Sequence, residues 1–258
     1  MAPLELAVSA LLFDSDGTLV DSTPAVRATI SRWCASQGVD PRAFAAAQHG
    51  TRARDLLRQF AVRPKRGSEM SERELDEAVE ELEREVGRTA RRMKSEGERG
   101  IVMLPGVDVI LKKLREGGAT WGVVTSATRT HACAALDAAG VTSSSSSVPA
   151  LVTGELVEQG KPHPEPYLAG LAALRELRPS LQAKDVLVIE DAPAGLESGA
   201  RAGCRVLAVC TGPVAATDVV HAAAEIEGAI VVRDLSCVEL VSCTPESITL
   251  RLEPLSLS

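Results

Sequence analysis

No run of apolar residues in this 258-residue chain approaches the length needed to cross a bilayer, and the amino terminus has no charged stretch leading into a long apolar core. The expectation is a soluble, unexported, cytoplasmic chain with no membrane partner. The six cysteines, Cys34, Cys133, Cys204, Cys210, Cys237 and Cys243, show neither the paired spacing of a metal site nor the density of a disulfide scaffold. Reduced thiols are expected. Positive charge is not in excess either, since the formal net charge is −7 and the pI about 5.3. That excludes a broad surface for nucleic acid but leaves room for a local basic pocket holding a small anion. Aromatic residues are scarce at 2%, yet 45% of the chain is apolar, enough for a sizeable core in one large domain or one domain carrying an insertion.

What is present is a set of short runs rich in Val, Leu and Ile at 8–13, 121–125, 150–153, 186–189, 206–210 and 230–232. Their apolarity is continuous rather than alternating, the pattern of strands covered on both faces. Helical stretches lie between several of them, such as 129–139 ending at Gly140 and 195–202 ending at Gly203, with glycine in the usual stop position. Strand and helix alternate from about residue 101, which predicts an α/β fold: a doubly wound, mainly parallel sheet with helices on both faces. The first strand stands apart from this series. Between them, residues 22–98 carry no convincing strand but do carry charged helical sequence, with Leu75, Val79, Leu82 and Val86 at helical spacing. The expected organisation is a core of residues 1–21 and 99–258 with an inserted helical unit at 22–98. Ser68 or Ser71 would cap its charged helix, whose charges read as a solvated face. The serine tract at 143–147 reads as a surface loop with no assigned chemistry.

In open parallel sheets ligands gather outside the carboxyl ends of the strands. The residues just past the apolar runs are Asp14 and Asp16 in "FDSDGT", Thr125 and Ser126, and Glu190 and Asp191; Lys161 follows the third run in "EQGKPHPEPYL". Taken alone, "DSDGT" also suits a tight turn with two exposed aspartates. Three carboxylates at one sheet edge would repel one another unless a cation or protons intervened. Magnesium, a hard ion that takes oxygen ligands and binds one or two carboxylates together with a phosphate, is the expected cofactor. Lys161 alone would be a surface lysine, but Pro162, Pro164 and Pro166 restrict the backbone around it. His131, His163 and His221 carry no signal beyond a structural role.

Four segments in this order resemble the haloacid dehalogenase superfamily of phosphatases and phosphomutases: "FDSDGTLVDS", "WGVVTSATRT", Lys161 in "GKPHPEPYL", and "VIEDAPAGLESGARAGC". The insert after the first segment resembles that family's helical cap. Within the superfamily, "VVTSATRTHA", "GELVEQGKPHPEPYLAGLAAL" and "QHGTRARDLLRQF" are similar to the fungal glycerol-3-phosphate and 2-deoxyglucose-6-phosphate phosphatases. The resemblance implies a phosphomonoester hydrolase that forms an aspartyl-phosphate. Asp14 would be the nucleophile and Asp16 the general acid and base. The Asp14 side chain, the Asp16 backbone carbonyl and Asp191 would hold magnesium, with Glu190 beside them. Thr125, Ser126 and Lys161 would hold phosphate oxygens, and His49, Gly50 and Arg52 in the cap would meet the sugar or polyol, with Arg54 further along.

A phosphomutase would share all four segments and differ only in how long it kept the phosphoenzyme. A dehalogenase has no need of Asp16. A phospho-accepting signalling domain also combines acids, a hydroxyl and a lysine, but would lack the insert; a non-catalytic binding module would have no use for an intact Asp14, Asp16, Lys161 and Asp191. The expected substrate is therefore a small phosphorylated sugar or polyol, and the expected assembly a monomer or weak homodimer.

Overall fold

A computed structural model of the chain describes residues 2–48, 52–60, 70–142 and 148–255. The chain opens with strand β1 (Leu4–Val8), then β2 (Ala10–Phe13) and the two-residue β3 (Val20–Asp21). Four helices follow: α1 (Thr23–Gln37), α2 (Pro41–Gln48), α3 (Ala53–Phe60) and α4 (Glu72–Ser95). Next come β4 (Val102–Met103), α5 (Val107–Glu116), β5 (Trp121–Val124), α6 (Arg129–Ala138), β6 (Leu151–Val152), α7 (Glu165–Leu177), β7 (Val186–Glu190), α8 (Pro193–Arg201), β8 (Arg205–Val209), α9 (Ala216–Ala224) and β9 (Ile230–Val232). The chain closes with β10 (Val238–Cys243) and β11 (Ile248–Leu252).

Six parallel strands form the main sheet in the order β6-β5-β2-β7-β8-β9. Counted along the chain as first to sixth, this is the 3-2-1-4-5-6 order of doubly wound folds, whose switch point falls beside the first strand. Here that point lies between β2, which leads into Asp14, and β7, which ends at Glu190. The continuous apolarity of the strands has a direct cause. Leu11, Phe13, Val123, Leu187 and Ile189 face one core, and Ala10, Leu12, Val124, Val186 and Val188 face the other. Both faces are dry, so polar residues enter only where each strand ends.

The run expected as one strand at 8–13 is two strands in two sheets. Ser9 breaks it, its N–H donating to the Asp185 carbonyl at 2.7 Å. β1 turns away to pair antiparallel with β11, which pairs in turn with β10. This second sheet has one wet face, and β11 alternates accordingly, with Ile248, Leu250 and Leu252 buried and Arg251 exposed.

The four helices between β3 and β4 leave and rejoin the core through the antiparallel pair Val20 with Met103 and Asp21 with Val102. They carry their own apolar clusters: Ile30, Cys34, Phe44 and Leu56 form one, and Leu57, Leu75, Val79 and Leu82 another. Toward the core, Ala25, Val86, Ala90 and Met93 join the main cluster. Helix α4 is capped by Ser71, whose side chain accepts from the Glu74 N–H while Glu74 reaches back to the Ser71 N–H. Ser68, the alternative cap, and the serine tract at 143–147 lie outside the described residues.

Candidate active site

The loop after β2 is shaped by one glycine. Gly17 has φ of +98°, and a Cβ there would lie 2.3 Å from Asp191 Oδ2. Only glycine provides both the conformation and the space. The Ser15 carbonyl accepts from the N–H groups of Thr18, Leu19 and Val20, which folds the loop back on itself. The result sets Asp14 at the end of β2 facing Asp191, whose Oδ1 accepts from the Thr18 hydroxyl at 3.2 Å.

Lys161 is buried against this pair. Its three donors are all engaged: Nζ donates to Asp14 Oδ1 at 2.7 Å, to Glu190 Oε1 at 2.6 Å and to the Val124 carbonyl at 3.1 Å. Burial works against its charge, but the carboxylates of Asp14 and Glu190 outweigh burial and push its pKa above the ordinary lysine range. Glu190 is the other end of the clamp. Oε1 also accepts from the Tyr167 hydroxyl at 2.9 Å, and Oε2 accepts from the N–H groups of Asp191 and Ala192. Gly195 lies so close to Glu190 that a Cβ there would meet Oε1 at 1.9 Å.

Oxygens of Asp14, Glu190 and Asp191 lie within 4.8 Å of one another. Burial, reinforced by Glu190 and Asp16, raises Asp14 from 3.8 to about 7 against the pull of Lys161. Asp191 is driven well above the carboxylate range by burial and then by Asp14 and Glu190. One lysine does not neutralise three buried carboxylates. An all-oxygen donor set with a charge deficit fits a hard divalent cation. Asp14 and Asp191 have oxygens to give it, whereas the oxygens of Glu190 already hold Lys161, Tyr167 and two N–H groups.

Asp16 has a different environment. The Ser22 hydroxyl donates to Oδ1 at 2.5 Å, and His131 Nε2 lies 3.7 Å from the same oxygen, an electrostatic contact rather than a full hydrogen bond. Burial would raise Asp16, but His131 and Ser22 prevail and hold it below the usual value. His131 in turn is raised by Asp16 and Glu83 despite its burial. Two aspartates one residue apart are thus driven in opposite directions before metal or substrate is bound; a cation would lower Asp14 and a phosphate dianion would raise Asp16. Thr125 is buried at the end of β5, its Oγ1 accepting from the Ala127 N–H at 3.2 Å, with Ser126 beside it.

These groups line a cavity of about 220 Å³. Asp14, Asp16, Thr125, Ser126, Lys161, Glu190 and Asp191, all named from the sequence, meet on its floor. Helices α1 to α4 supply the roof, which is mostly apolar. His49 and Gly50 lie outside the described residues. Arg52 is not among the lining residues. Its guanidinium pairs with Asp55 and donates to the Val157 carbonyl at 2.8 Å and the Gly154 carbonyl at 3.4 Å, and its stem packs over Gly160. Arg54 pairs with Glu72 and Asp76. Four further groups bear on the site without having been singled out for it: Ser22, His131, Tyr167 and Glu83. Glu83, on α4, accepts from the Thr128 N–H at 3.2 Å and from the Thr128 hydroxyl, joining the helical insert to the first residue before α6.

Residues 11–209 match the family of haloacid dehalogenase-like hydrolases. The chain is 37% identical over 198 residues to hexitol phosphatase A of Escherichia coli, a match covering 77% of this chain and 81% of that protein. It is 33% identical over 218 residues to glycerol-1-phosphate phosphohydrolase 2 of Saccharomyces cerevisiae, covering 81% and 77% respectively. Among solved structures, a hydrolase from Pseudomonas syringae superposes with a TM-score of 0.64 at 20% identity over 88% of this chain and 93% of its own, a likeness of fold.

Proposed function

Because the chain belongs to the haloacid dehalogenase-like hydrolases and is a phosphoric monoester hydrolase, we propose that it cleaves small sugar or polyol phosphates, requires magnesium, and works through an aspartyl-phosphate on Asp14. The observation that carries this reading is the junction of Asp14, Lys161 and Asp16 on the floor of a roofed cavity. Its relatives' names, hexitol phosphatase and glycerol-1-phosphate phosphohydrolase, support the polyol class.

In the first step a carboxylate oxygen of Asp14 attacks phosphorus, the bond to the ester oxygen breaks, and Asp16 gives that oxygen its proton. In the second, water attacks the same phosphorus, the bond to Asp14 breaks, and Asp16 takes the water proton. Magnesium, held by the carboxylates of Asp14 and Asp191 and the Asp16 carbonyl, would supply neutralising charge for the phosphoryl oxygens. Lys161 holds Asp14 in position and adds a fixed positive charge beside it; Glu190 and Tyr167 fix Lys161. Thr125 and Ser126, ahead of α6, present hydroxyl and N–H groups to the phosphoryl oxygens. Residues 22–98 act as the cap, excluding bulk water during the first step. Arg52 serves that closure by tying the cap to the carbonyls of Gly154 and Val157.

Phosphate release from a panel of polyol and sugar phosphates, with and without magnesium, tests the reading. Turnover of at least one polyol phosphate that stops in excess chelator is expected. Activity unaffected by chelation, or confined to phosphoproteins, would overturn it.

A further inference from the structure

Among the described residues, the roof of the cavity carries one buried charge, and its sign is negative. Glu83 is only 8% exposed and lines the cavity among Val26, Ile30, Phe44, Leu56, Leu82 and Val86. The buried cations nearby are already engaged. Lys161 has no free donor, and His131 answers both Asp16 and Glu83. Arg27 also lines the cavity but is exposed, at its rim.

We infer that Glu83 is a specificity-determining residue: it admits phosphate esters whose organic half is neutral and hydroxylated, and rejects those carrying a carboxylate or a second phosphate. The inference rests on the phosphatase reading above and assigns the discrimination to a residue of α4. Each Glu83 oxygen has one partner on Thr128, so lone pairs remain for a substrate hydroxyl, and a hydroxyl donating to a carboxylate makes a strong bond. An anionic organic half would instead be buried beside a like charge with, among the described residues, no uncommitted buried cation lining the cavity to receive it. Burial already raises Glu83 above the usual carboxylate value, which shows how poorly the roof tolerates even one negative charge.

Glycerol 3-phosphate and 3-phosphoglycerate have nearly the same size and differ in a hydroxymethyl against a carboxylate, so they isolate the effect. With the full chain and magnesium, kcat/KM should favour glycerol 3-phosphate by at least about 100-fold in the native protein, and Glu83→Gln should shrink that ratio by at least about tenfold by raising turnover of 3-phosphoglycerate. A native protein that hydrolyses 3-phosphoglycerate as well as glycerol 3-phosphate, as it would if Arg27 captured the carboxylate, overturns the inference. So does an unchanged ratio in Glu83→Gln. If that variant fails to fold, Glu83→Met, suited to Leu82 and Val86, carries the same comparison. Nitrophenyl phosphate separates the two levels of failure. No phosphate release from any ester strikes the phosphatase reading, while thermal protection by the two ligands still measures the discrimination, with equal protection counting against Glu83.

Discussion

Replacing Asp14 by Asn should abolish turnover and, at the same time, make the metal-free protein more stable. The gain should depend on pH. In the folded chain the Asp14 carboxyl keeps its proton up to about 7, whereas its ordinary value is 3.8. The native state therefore holds the extra proton between these values, and stability falls as pH rises through that window. At 1.36 kcal/mol per unit, the full cost at pH 8 is about 4 kcal/mol, of which less than half is already present at pH 5. Asn has nearly the same shape, still accepts from Lys161 through its amide oxygen, and never ionises. The advantage of Asp14→Asn should thus grow by roughly 2–3 kcal/mol between pH 5 and pH 8, a shift of several degrees in Tm for a chain of this size.

Urea denaturation of both proteins in chelator at the two pH values measures this difference directly. Magnesium provides an internal control, because ligation needs deprotonated carboxylates and supplies the missing positive charge. It should stabilise the native protein more at pH 8 than at pH 5 and should narrow the gap to Asp14→Asn. The reasoning fails if the variant is no more stable than the native protein at pH 8 in chelator, or if its advantage is the same at both pH values.

Asp16→Asn should slow phosphorylation of Asp14 severely for alkyl phosphates but far less for nitrophenyl phosphate, whose leaving group needs no proton; equal losses in single-turnover experiments would remove Asp16 as the acid. Asp191→Ala should raise the magnesium concentration for half-maximal activity by roughly tenfold or more, and an unchanged titration would exclude it as a ligand. Lys161→Met leaves Asp14 and Glu190 facing each other without their cation and should cost about 3–5 kcal/mol of stability in chelator at pH 8, read by denaturation; a loss below about 1 kcal/mol would mean the clamp is not what balances these carboxylates. Arg52→Ala should raise KM for all esters by similar factors, because Arg52 ties α3 to the Val157 carbonyl rather than lining the cavity; a loss confined to polyol phosphates would place its side chain on the substrate instead.

The floor of the site was legible because its residues sit where buried strands must end. β2, β5 and β7 are dry on both faces, so the first polar residues after Phe13, Val124 and Ile189 had to be those at the carboxyl edge. The separate sheet of β1, β10 and β11 was not legible, because Val8 runs into Ala10 through a single serine and the break depends on pairing with β11 some 240 residues away in sequence, a contact that local apolarity does not encode. Tyr167 was hidden for a related reason: a lone tyrosine in an apolar helix looks like core until the carboxylate receiving its hydroxyl is placed. Glu83 and His131 were harder for opposite reasons. Glu83 sits in a helix crowded with charge and was counted with the solvated face, although it lies four residues after Val79 and three before Val86 and so falls inside the buried stripe. A lone carboxylate on that stripe cannot be a solvated charge and needs a partner across the interface, here Thr128. His131 was read as structural because it lies in a helical stretch with no other signal. Yet it is in the first turn of α6, three residues past the Thr128 cap, and the first turn of a helix that follows a parallel strand hangs over the same edge that presents Asp16. Charged or titratable residues on the buried stripe of an insert, and in the first turn after a strand, are therefore the positions where the sequence of this chain carried more chemistry than its composition suggested.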